Sequence, residues 1–376
     1  MRSVFYSAVL LAVLASLPWT AFAEPAGFTT LAIGDAARDF KLPGVDGKDY
    51  SLASFKEAKL LLVIFTCNHC PTAQAYEARI KQLQADYRDK GVALVAVSPN
   101  DPLAVRLDEL GYTDLADSLA DMKLRAKAQG FEFPYLYDGE TQKTSLAYGV
   151  LATPHVFLFD AERKLRYSGR IDDGEVKAPT SHDLRNAIDA VLAGKAVPVE
   201  KTRVFGCSTK WSDKRADAKA SLARWDQEPV DLATIDAAGI AKLAKNETDK
   251  LLVVNVWATW CGPCVAELPE FVTMNRMYRK RNFQLVTISL DEPDQKDAAL
   301  KVLKEQRVAA TNYLSTVESK DKLADLLDKE WQGPVPFTVV IAPGGKVLYR
   351  KSGPLEPLAV KRAVVEHLGR TYANRK

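Results

Sequence analysis

Four of the five cysteines in this 376-residue chain stand in two pairs with two residues between the members. The pairs are Cys67 with Cys70 and Cys261 with Cys264. This spacing suits disulfide exchange, because one thiolate attacks and a thiol one helical turn away resolves the mixed disulfide. Five cysteines are too few for a disulfide scaffold in so long a chain. They are therefore predicted to react rather than to cross-link.

The second pair lies between a predicted strand and a predicted helix. Residues 251–257 form an apolar run, and a helical pattern begins at the cysteines. A thiolate at a helix N-terminus meets unpaired N–H groups and the positive end of the macrodipole, which lowers the pKa of Cys261. A zinc site would require a second ligand pair, and a haem attachment site would require histidine where Val265 stands. A structural disulfide is the remaining alternative, and the strand-to-helix context favours redox chemistry.

The second half of the chain resembles the extracytoplasmic thioredoxin-like reductases of the TlpA/ResA type over residues 229–376. The resemblance rests on the sequence WATWCGPC followed by Glu267, Pro269 and the later Val335-Pro336. It implies that Cys261 attacks and that Cys264 resolves.

The same resemblance suggests a proton acceptor for the resolving thiol. Asn255 stands where cytoplasmic thioredoxin carries a buried acid, and Glu267 matches the acid that TlpA/ResA-like reductases keep beside the motif. The alternative for Glu267 is a solvated residue on the helix surface. Trp260 is predicted to flank Cys261 and to shape the surface on which a partner docks.

An internal repeat indicates the fold class. The CxxC pairs recur at a shift of 194 positions, and the segments after Pro154 and Pro336 recur at a shift of 182. Each half reads as strand, CxxC, helix, strand, helix and a closing hairpin. We predict two α/β thioredoxin-like folds in tandem, each a central mixed sheet flanked by helices. The expected limits are 27–211 for the first domain, 212–228 for a charged helical linker and 229–376 for the second domain.

Two X-Pro steps precede strands that read as buried. They are Thr153-Pro154 and Val335-Pro336. The thioredoxin resemblance implies cis prolines that face the CxxC pairs, with the neighbouring backbone binding the substrate peptide. The alternative is an ordinary proline on an edge strand.

The first half resembles the AhpC/TSA-like redoxins of the subgroup that carries F-T-C-N-H-C-P. Here that motif is residues 65–71, supported by Ile33-Gly34-Asp35, Ser98-Pro99-Asn100-Asp101 and Gly206-Cys207-Ser208. Peroxidatic sites of this class place a hydroxyl three residues before the reactive cysteine. Cys67 holds that position relative to Cys70, so disulfide exchange is favoured over antioxidant peroxide reduction.

His69 is predicted to tune the first pair. A protonated imidazole between the cysteines stabilises the Cys67 thiolate and makes the disulfide more oxidising. By analogy with thioredoxin and disulfide isomerase, the two sites differ by roughly 90 mV, or on the order of 4 kcal/mol, which would drive electrons from the second domain to the first. The alternative is an exposed residue without a tuning role.

Two further features of the first half have open interpretations. Apolar residues between 107 and 126 recur at helical spacing and predict an added helix on the sheet, with a lid over the site as the functional alternative. Cys207, the unpaired cysteine, is either a resolving thiol for the first pair or a buried structural thiol.

The N-terminus predicts export. Arg2, an apolar run over residues 4–17 and Ala21-Phe22-Ala23 together resemble a cleaved signal peptide of residues 1–23. An uncleaved anchor is the alternative, although the run is short for a span of about 20 residues. The expected location is a bacterial periplasm, with no stable membrane span after cleavage. A net charge of +3 gives no argument for nucleic acid.

The sequence therefore predicts an exported thiol-disulfide oxidoreductase that needs no cofactor beyond its redox-active disulfides. Its expected partners are protein thiols and disulfides of the cell envelope and an unidentified upstream electron donor. The alternatives are a thiol peroxidase and a copper-binding chaperone that uses Cys67, His69 and Cys70, since soft thiolates suit copper(I).

Overall fold

The computed structural model describes Pro25 and residues 27–374. The predicted signal peptide, residues 1–23, lies outside this part of the chain. Within it, no helix combines the length and apolar character needed to cross a membrane.

The first half contains a five-stranded mixed sheet and two short two-stranded sheets. Its strands are β1 Lys41–Pro43, β2 Asp49–Ser51, β3 Leu60–Phe65, β4 Val92–Ser98, β5 Tyr135–Tyr137, β6 Ala152–Thr153, β7 His155–Phe159, β8 Leu165–Gly169 and β9 Cys207–Ser208. Its helices are α1 Pro71–Tyr87, α2 Leu119–Gln129, α3 Lys143–Tyr148, α4 Asp183–Leu192 and α5 Arg215–Trp225. The large sheet has the order β5-β4-β3-β7-β8, while β1 pairs with β2 and β6 with β9.

The second half contains a six-stranded mixed sheet. Its strands are β10 Ala233–Ile235, β11 Leu251–Trp257, β12 Phe283–Ser289, β13 Thr311–Ser315, β14 Phe337–Ile341 and β15 Val347–Ser352. Its helices are α6 Ala237–Lys245, α7 Gly262–Tyr278, α8 Lys296–Glu305, α9 Lys320–Leu327 and α10 Pro357–Leu368. The strand order is β10-β13-β12-β11-β14-β15, with β14 and β15 antiparallel to the strands they pair with.

The central strand β3 shows why these runs are continuously apolar. Leu60, Leu62 and Ile64 enter one hydrophobic core, and the alternate residues of the strand enter the core on the opposite face. Side chains alternate between the two faces of a strand, so a sheet covered on both faces requires apolar residues throughout its central strands. The predicted class, a central mixed sheet flanked by helices in each half, is confirmed.

The two halves repeat in a register that the sequence comparison did not identify. Strands β3 and β11, helices α1 and α7, and strands β4 and β12 each begin 191 positions apart (251 minus 60, 262 minus 71 and 283 minus 92). This register places Cys261 on Cys70. The predicted shift of 194, which paired Cys261 with Cys67, is wrong because it followed the cysteine letters rather than the strand and helix starts.

The segment between β4 and α2 forms much of the contact between the two halves. Residues Pro102–Ala104 and Leu107–Glu109 are 3-10 turns, and regular helix begins only at Leu119. Val105 and Leu110 join the core that contains Met274, Met277 and Tyr278 of α7. The predicted helix over residues 107–126 is therefore correct only for its last part.

Polar contacts secure the same interface. The Tyr278 hydroxyl donates to the Thr113 carbonyl at 3.0 Å, and Asp114 pairs with Arg362 at 3.2 Å and with Arg370 at 2.5 Å. The predicted charged connector contains α5, and Asp226 just after it pairs with Arg276 at 2.8 Å. The exact domain limits stay a prediction.

Candidate active sites

The first site lies where β3 ends and α1 begins. Cys70 caps α1, and its sulfur accepts the Ala73 N–H at 3.4 Å. Cys67 lies in the preceding loop, with its sulfur 3.1 Å from the Thr153 hydroxyl. The Thr153-Pro154 peptide is cis, as predicted, and both sulfurs are buried against it. Cys70 is therefore the cysteine that faces the unpaired N–H groups of the helix start.

A buried acid supports the first site from the segment that contacts the second half. Asp117 accepts a 2.5 Å hydrogen bond from His69 Nδ1, a 2.8 Å hydrogen bond from Asn100 and backbone N–H bonds from Asn68 and His69. His69 is only 1% exposed, so the alternative of an exposed helix-start residue is wrong. Burial alone lowers the pKa of His69, but the Asp117 charge and hydrogen bond raise it above its usual value. The Asp117 carboxylate thus favours the protonated, positively charged form of the His69 imidazole.

The electrostatics distinguish the two cysteines of the first pair. Burial raises the pKa of Cys70, yet hydrogen bonds from Cys207 and Cys67, the His69 charge and the Ala73 N–H outweigh it and bring that pKa well below its usual range. Burial, a hydrogen bond with Cys70 and the Asp117 charge raise the pKa of Cys67. The sequence predicted that His69 would stabilise the Cys67 thiolate. In the structure its charge acts on Cys70.

The second site also lies between a central strand and a helix, but here the first cysteine of the pair, not the second, caps the helix. Cys261 caps α7 and accepts the Cys264 N–H at 3.3 Å, and the two cysteines form a disulfide. Val335 packs against the cluster that contains both, and the Val335-Pro336 peptide is cis, as predicted. Trp260 is 60% exposed beside Cys261. An exposed indole next to a cysteine offers a partner protein an apolar contact.

Glu267 lies beneath the second site, one helical turn after Cys264. It is 8% exposed, accepts the Asn255 amide at 3.0 Å and accepts the Leu355 N–H at 2.9 Å. Burial raises its pKa, and these two hydrogen bonds offset only part of that rise. The raised pKa makes the Glu267 carboxylate a better proton acceptor for a thiol than a solvated carboxylate would be.

Replacing Glu267 with glutamine should slow the resolving step by about a hundredfold, because the Cys264 thiol loses its proton acceptor. The measurement is the decay of a mixed disulfide between Cys261 and a thiol peptide, followed by rapid quenching and mass spectrometry. Glu270→Gln, an exposed carboxyl on the same helix, is the matched control. Equal decay rates in both variants would assign Glu267 a packing role only.

One group of side chains in the described part of the chain could hold a metal ion. The ligand atoms of Cys67, His69 and Asp117 lie within 4.8 Å of one another, and all three residues are buried. The set differs from the predicted one, because Asp117 takes the place of Cys70. Sequence reasoning missed Asp117, which lies 48 residues from His69. The available signal was a pair of acids, Asp114 and Asp117, that flank Leu115 and Ala116 between Leu110 and Leu119.

Comparison with known proteins identifies the two halves. The redoxin family model matches residues 32–188, and the AhpC/TSA family model matches residues 228–350. The chain therefore contains a redoxin domain and an AhpC/TSA domain in tandem. The recognition of a tandem thioredoxin-like protein and the thioredoxin-like fold class are thereby confirmed.

Curated relatives of this tandem redoxin are thiol-disulfide oxidoreductases named ResA. The protein from Oceanobacillus iheyensis is 27% identical over 122 residues, which are 32% of this chain and 53% of that protein. The one from Geobacillus thermodenitrificans is 25% identical over 193 residues, which are 50% of this chain and 96% of that protein. The predicted enzyme class, thiol-disulfide oxidoreductase, is confirmed.

A solved structure is also similar to the tandem redoxin. It is a hypothetical protein from Sinorhizobium meliloti, 38% identical, with a TM-score of 0.44, and the match covers 49% of this chain and 97% of that one.

Proposed function

We propose that the tandem redoxin is an exported enzyme that exchanges disulfides with protein partners through two cysteine sites and without a cofactor. One observation carries the proposal: each half places a cysteine at the N-cap of a 17-residue helix that follows a central strand, and a cis X-Pro peptide lies at each site. A helix N-terminus stabilises a thiolate, and a thiolate is the species that attacks a disulfide.

The proposed export rests on the sequence of residues 1–23. Expression of the full chain in a bacterium, followed by cell fractionation and N-terminal sequencing, tests it. The expected product is periplasmic and begins near Glu24. A full-length product that stays with the membrane fraction would support the anchored alternative instead.

The proposed relay carries electrons from the second site to the first, either between separate chains or through a partner protein. Direct transfer within one chain is disfavoured by the distance between the second site and the contact between the two halves. The first half contacts α7 near Tyr278, whereas Cys261 caps the other end of that helix, about 25 Å away at 1.5 Å per residue. A relay between chains should depend on protein concentration. Transfer whose rate is independent of concentration would contradict this route.

The deciding experiment compares the reduction potentials of the two sites in the full chain. One variant carries Cys261→Ser and Cys264→Ser, and the other carries Cys67→Ser, Cys70→Ser and Cys207→Ser. Each is equilibrated with glutathione or dithiothreitol buffers. A first site that is more oxidising than the second would support the relay. Equal potentials would leave two parallel sites, and the absence of a reducible disulfide in both variants would remove the proposed function.

Peroxide reduction by the first site is the second candidate function. The observation in its favour is that Cys70 begins the helix and that the Thr153 residue brings a hydroxyl to the cysteine cluster. Hydrogen peroxide consumption by the reduced chain tests it. Consumption that disappears in Cys70→Ser but not in Cys261→Ser would establish a peroxidase at the first site.

A further inference from the structure

The chain covers one edge of the first site with its own backbone. Strand β9, Cys207–Ser208, pairs antiparallel with β6, so that Cys207 lies opposite Thr153, the residue before the cis proline. Gly206 approaches the Thr153 carbonyl so closely that a Cβ atom would lie 2.0 Å from it. In the part of the chain that the structure describes, no strand pairs with Val335, the corresponding residue of the second site.

This strand brings a third sulfur to the first pair. The Cys207 N–H donates to the Cys70 sulfur at 3.3 Å, and the Cys207 side chain packs against the buried cluster of Cys67, Cys70 and Ala73. The nearby Cys207 thiol also helps to lower the pKa of Cys70. Neither contact follows from sequence proximity, since 137 residues separate the two cysteines. Cys207 is thus held in place by backbone pairing, within reach of the helix-capping cysteine.

Accessibility separates Cys207 from the other two cysteines. Cys70 is 0% exposed and Cys67 is 3% exposed, whereas Cys207 is only partly buried. An outside thiolate can reach a disulfide only through an accessible sulfur. A Cys67–Cys70 disulfide in this arrangement would present two buried sulfurs, but a Cys70–Cys207 disulfide would present one that a partner can attack.

We propose that Cys207 is a third redox residue of the first site, that the oxidised site carries a Cys70–Cys207 disulfide, and that a partner thiolate opens it at Cys207. The inference rests on the proposed function, because it concerns how the same site exchanges disulfides. It also replaces the expected pairing of Cys67 with Cys70 by a pairing across strand β9.

The exchange balances without an added oxidant. A thiolate of a partner dithiol attacks the Cys207 sulfur, the Cys70–Cys207 bond breaks, and Cys70 leaves as a thiolate held by the helix N-terminus and His69. The second thiol of the partner then loses its proton. Its sulfur attacks the partner sulfur that is bonded to Cys207, and this step expels Cys207 from the mixed disulfide. Cys207 takes up that proton. The partner dithiol becomes a disulfide, and the site disulfide becomes one thiolate and one thiol. The reverse sequence oxidises the site with a partner disulfide.

Disulfide mapping of the full chain tests the inference. The reduced protein is equilibrated with oxidised glutathione, quenched in acid, alkylated and digested with trypsin. Trypsin cuts after Lys59, Arg79 and Arg203, so Cys67 and Cys70 share one peptide while Cys207 lies on another. A Cys70–Cys207 disulfide therefore links two peptides, and a Cys67–Cys70 disulfide stays within one.

The expected result is the two-peptide link, unchanged in Cys67→Ser and lost in Cys207→Ser. Reduction of the first site by a dithiol peptide should slow by about tenfold or more in Cys207→Ser, because the remaining sulfurs are buried. Ser208→Ala, on the same strand, controls for disturbance of the strand pairing and should keep the link. The Cys67→Ser result stands even if Cys207→Ser fails to fold.

Two other results have distinct meanings. If Cys207 is recovered alkylated while Cys67 and Cys70 are linked, the inference is overturned, but the proposed function survives. The Cys261–Cys264 disulfide in the same digest reports on that function independently. If neither site acquires a disulfide from glutathione, the proposed function itself fails.

Discussion

Replacing Cys70 with serine should lower the rate of disulfide exchange at the first site by at least about a hundredfold, because it removes the low-pKa thiolate of the proposed Cys70–Cys207 pair. The background is the full chain with Cys261→Ser and Cys264→Ser, so that the second site is silent. The measurement is the reduction of a disulfide peptide under a fixed supply of dithiothreitol. The large loss is expected because Cys70 caps α1 and receives the His69 charge.

Cys67→Ser in the same background is the matched comparison. It removes a sulfur from the same loop but leaves the helix-capping thiolate, so most of the exchange rate should remain. A loss in Cys67→Ser that equals or exceeds the loss in Cys70→Ser would return the role of the reactive thiolate to Cys67, as the sequence alone predicted.

Replacing Asp117 with asparagine should destabilise the chain by about 3–5 kcal/mol, because it leaves His69 without its charged partner in a fully buried site. The measurement is the free energy of unfolding of the full chain from urea titration. Asp89→Asn is the control, since the Asp89 side chain is 88% exposed and its loss should change little. A change below about 1 kcal/mol, the range of an exposed pair, would show that the pair is not a stabilising one.

The pH dependence of stability gives a second test of the Asp117→Asn variant. The pKa of Asp117 is lowered from 3.8. Its contribution to the free energy of unfolding is therefore present above that value and is lost as the pH falls through the folded pKa. The pKa of His69 is raised from 6.5, so its contribution is present below that value and is lost as the pH rises through the folded pKa. The stability difference between wild type and Asp117→Asn should therefore be largest between these two values. A difference independent of pH would indicate a packing defect.

Much of the fold was predictable because its signals are local. Strands such as β3 and β11 are continuously apolar, and each leads directly into a cysteine motif and a helix. The thioredoxin resemblance implied both cis prolines, at X-Pro steps before buried strands, and Trp257 lies in the core as its surroundings suggest. Periodicity within a short window is sufficient for such elements.

The arrangement of the first site was predictable only in part, because it depends on distant parts of the chain. A resolving role for Cys207 was one of two open interpretations of the sequence, and Asp117 was not anticipated. Asp117 reaches His69 across 48 residues and Cys207 reaches Cys70 across 137 residues, so no local pattern places them together. The position of Cys70 at the helix start became clear only from the strand and helix boundaries. The two CxxC pairs look equivalent in the sequence. When the two halves are aligned on their strand and helix starts, however, the second pair is offset from the first by three residues.

The most direct test of this account is the ultraviolet absorbance of the thiolate, titrated against pH in the reduced chain with Cys261→Ser and Cys264→Ser. We expect a thiolate whose pKa lies well below the usual cysteine range, present in Cys67→Ser and absent in Cys70→Ser. A low-pKa thiolate that persists in Cys70→Ser and disappears in Cys67→Ser would contradict the assignment of Cys70 as the reactive cysteine of the first site.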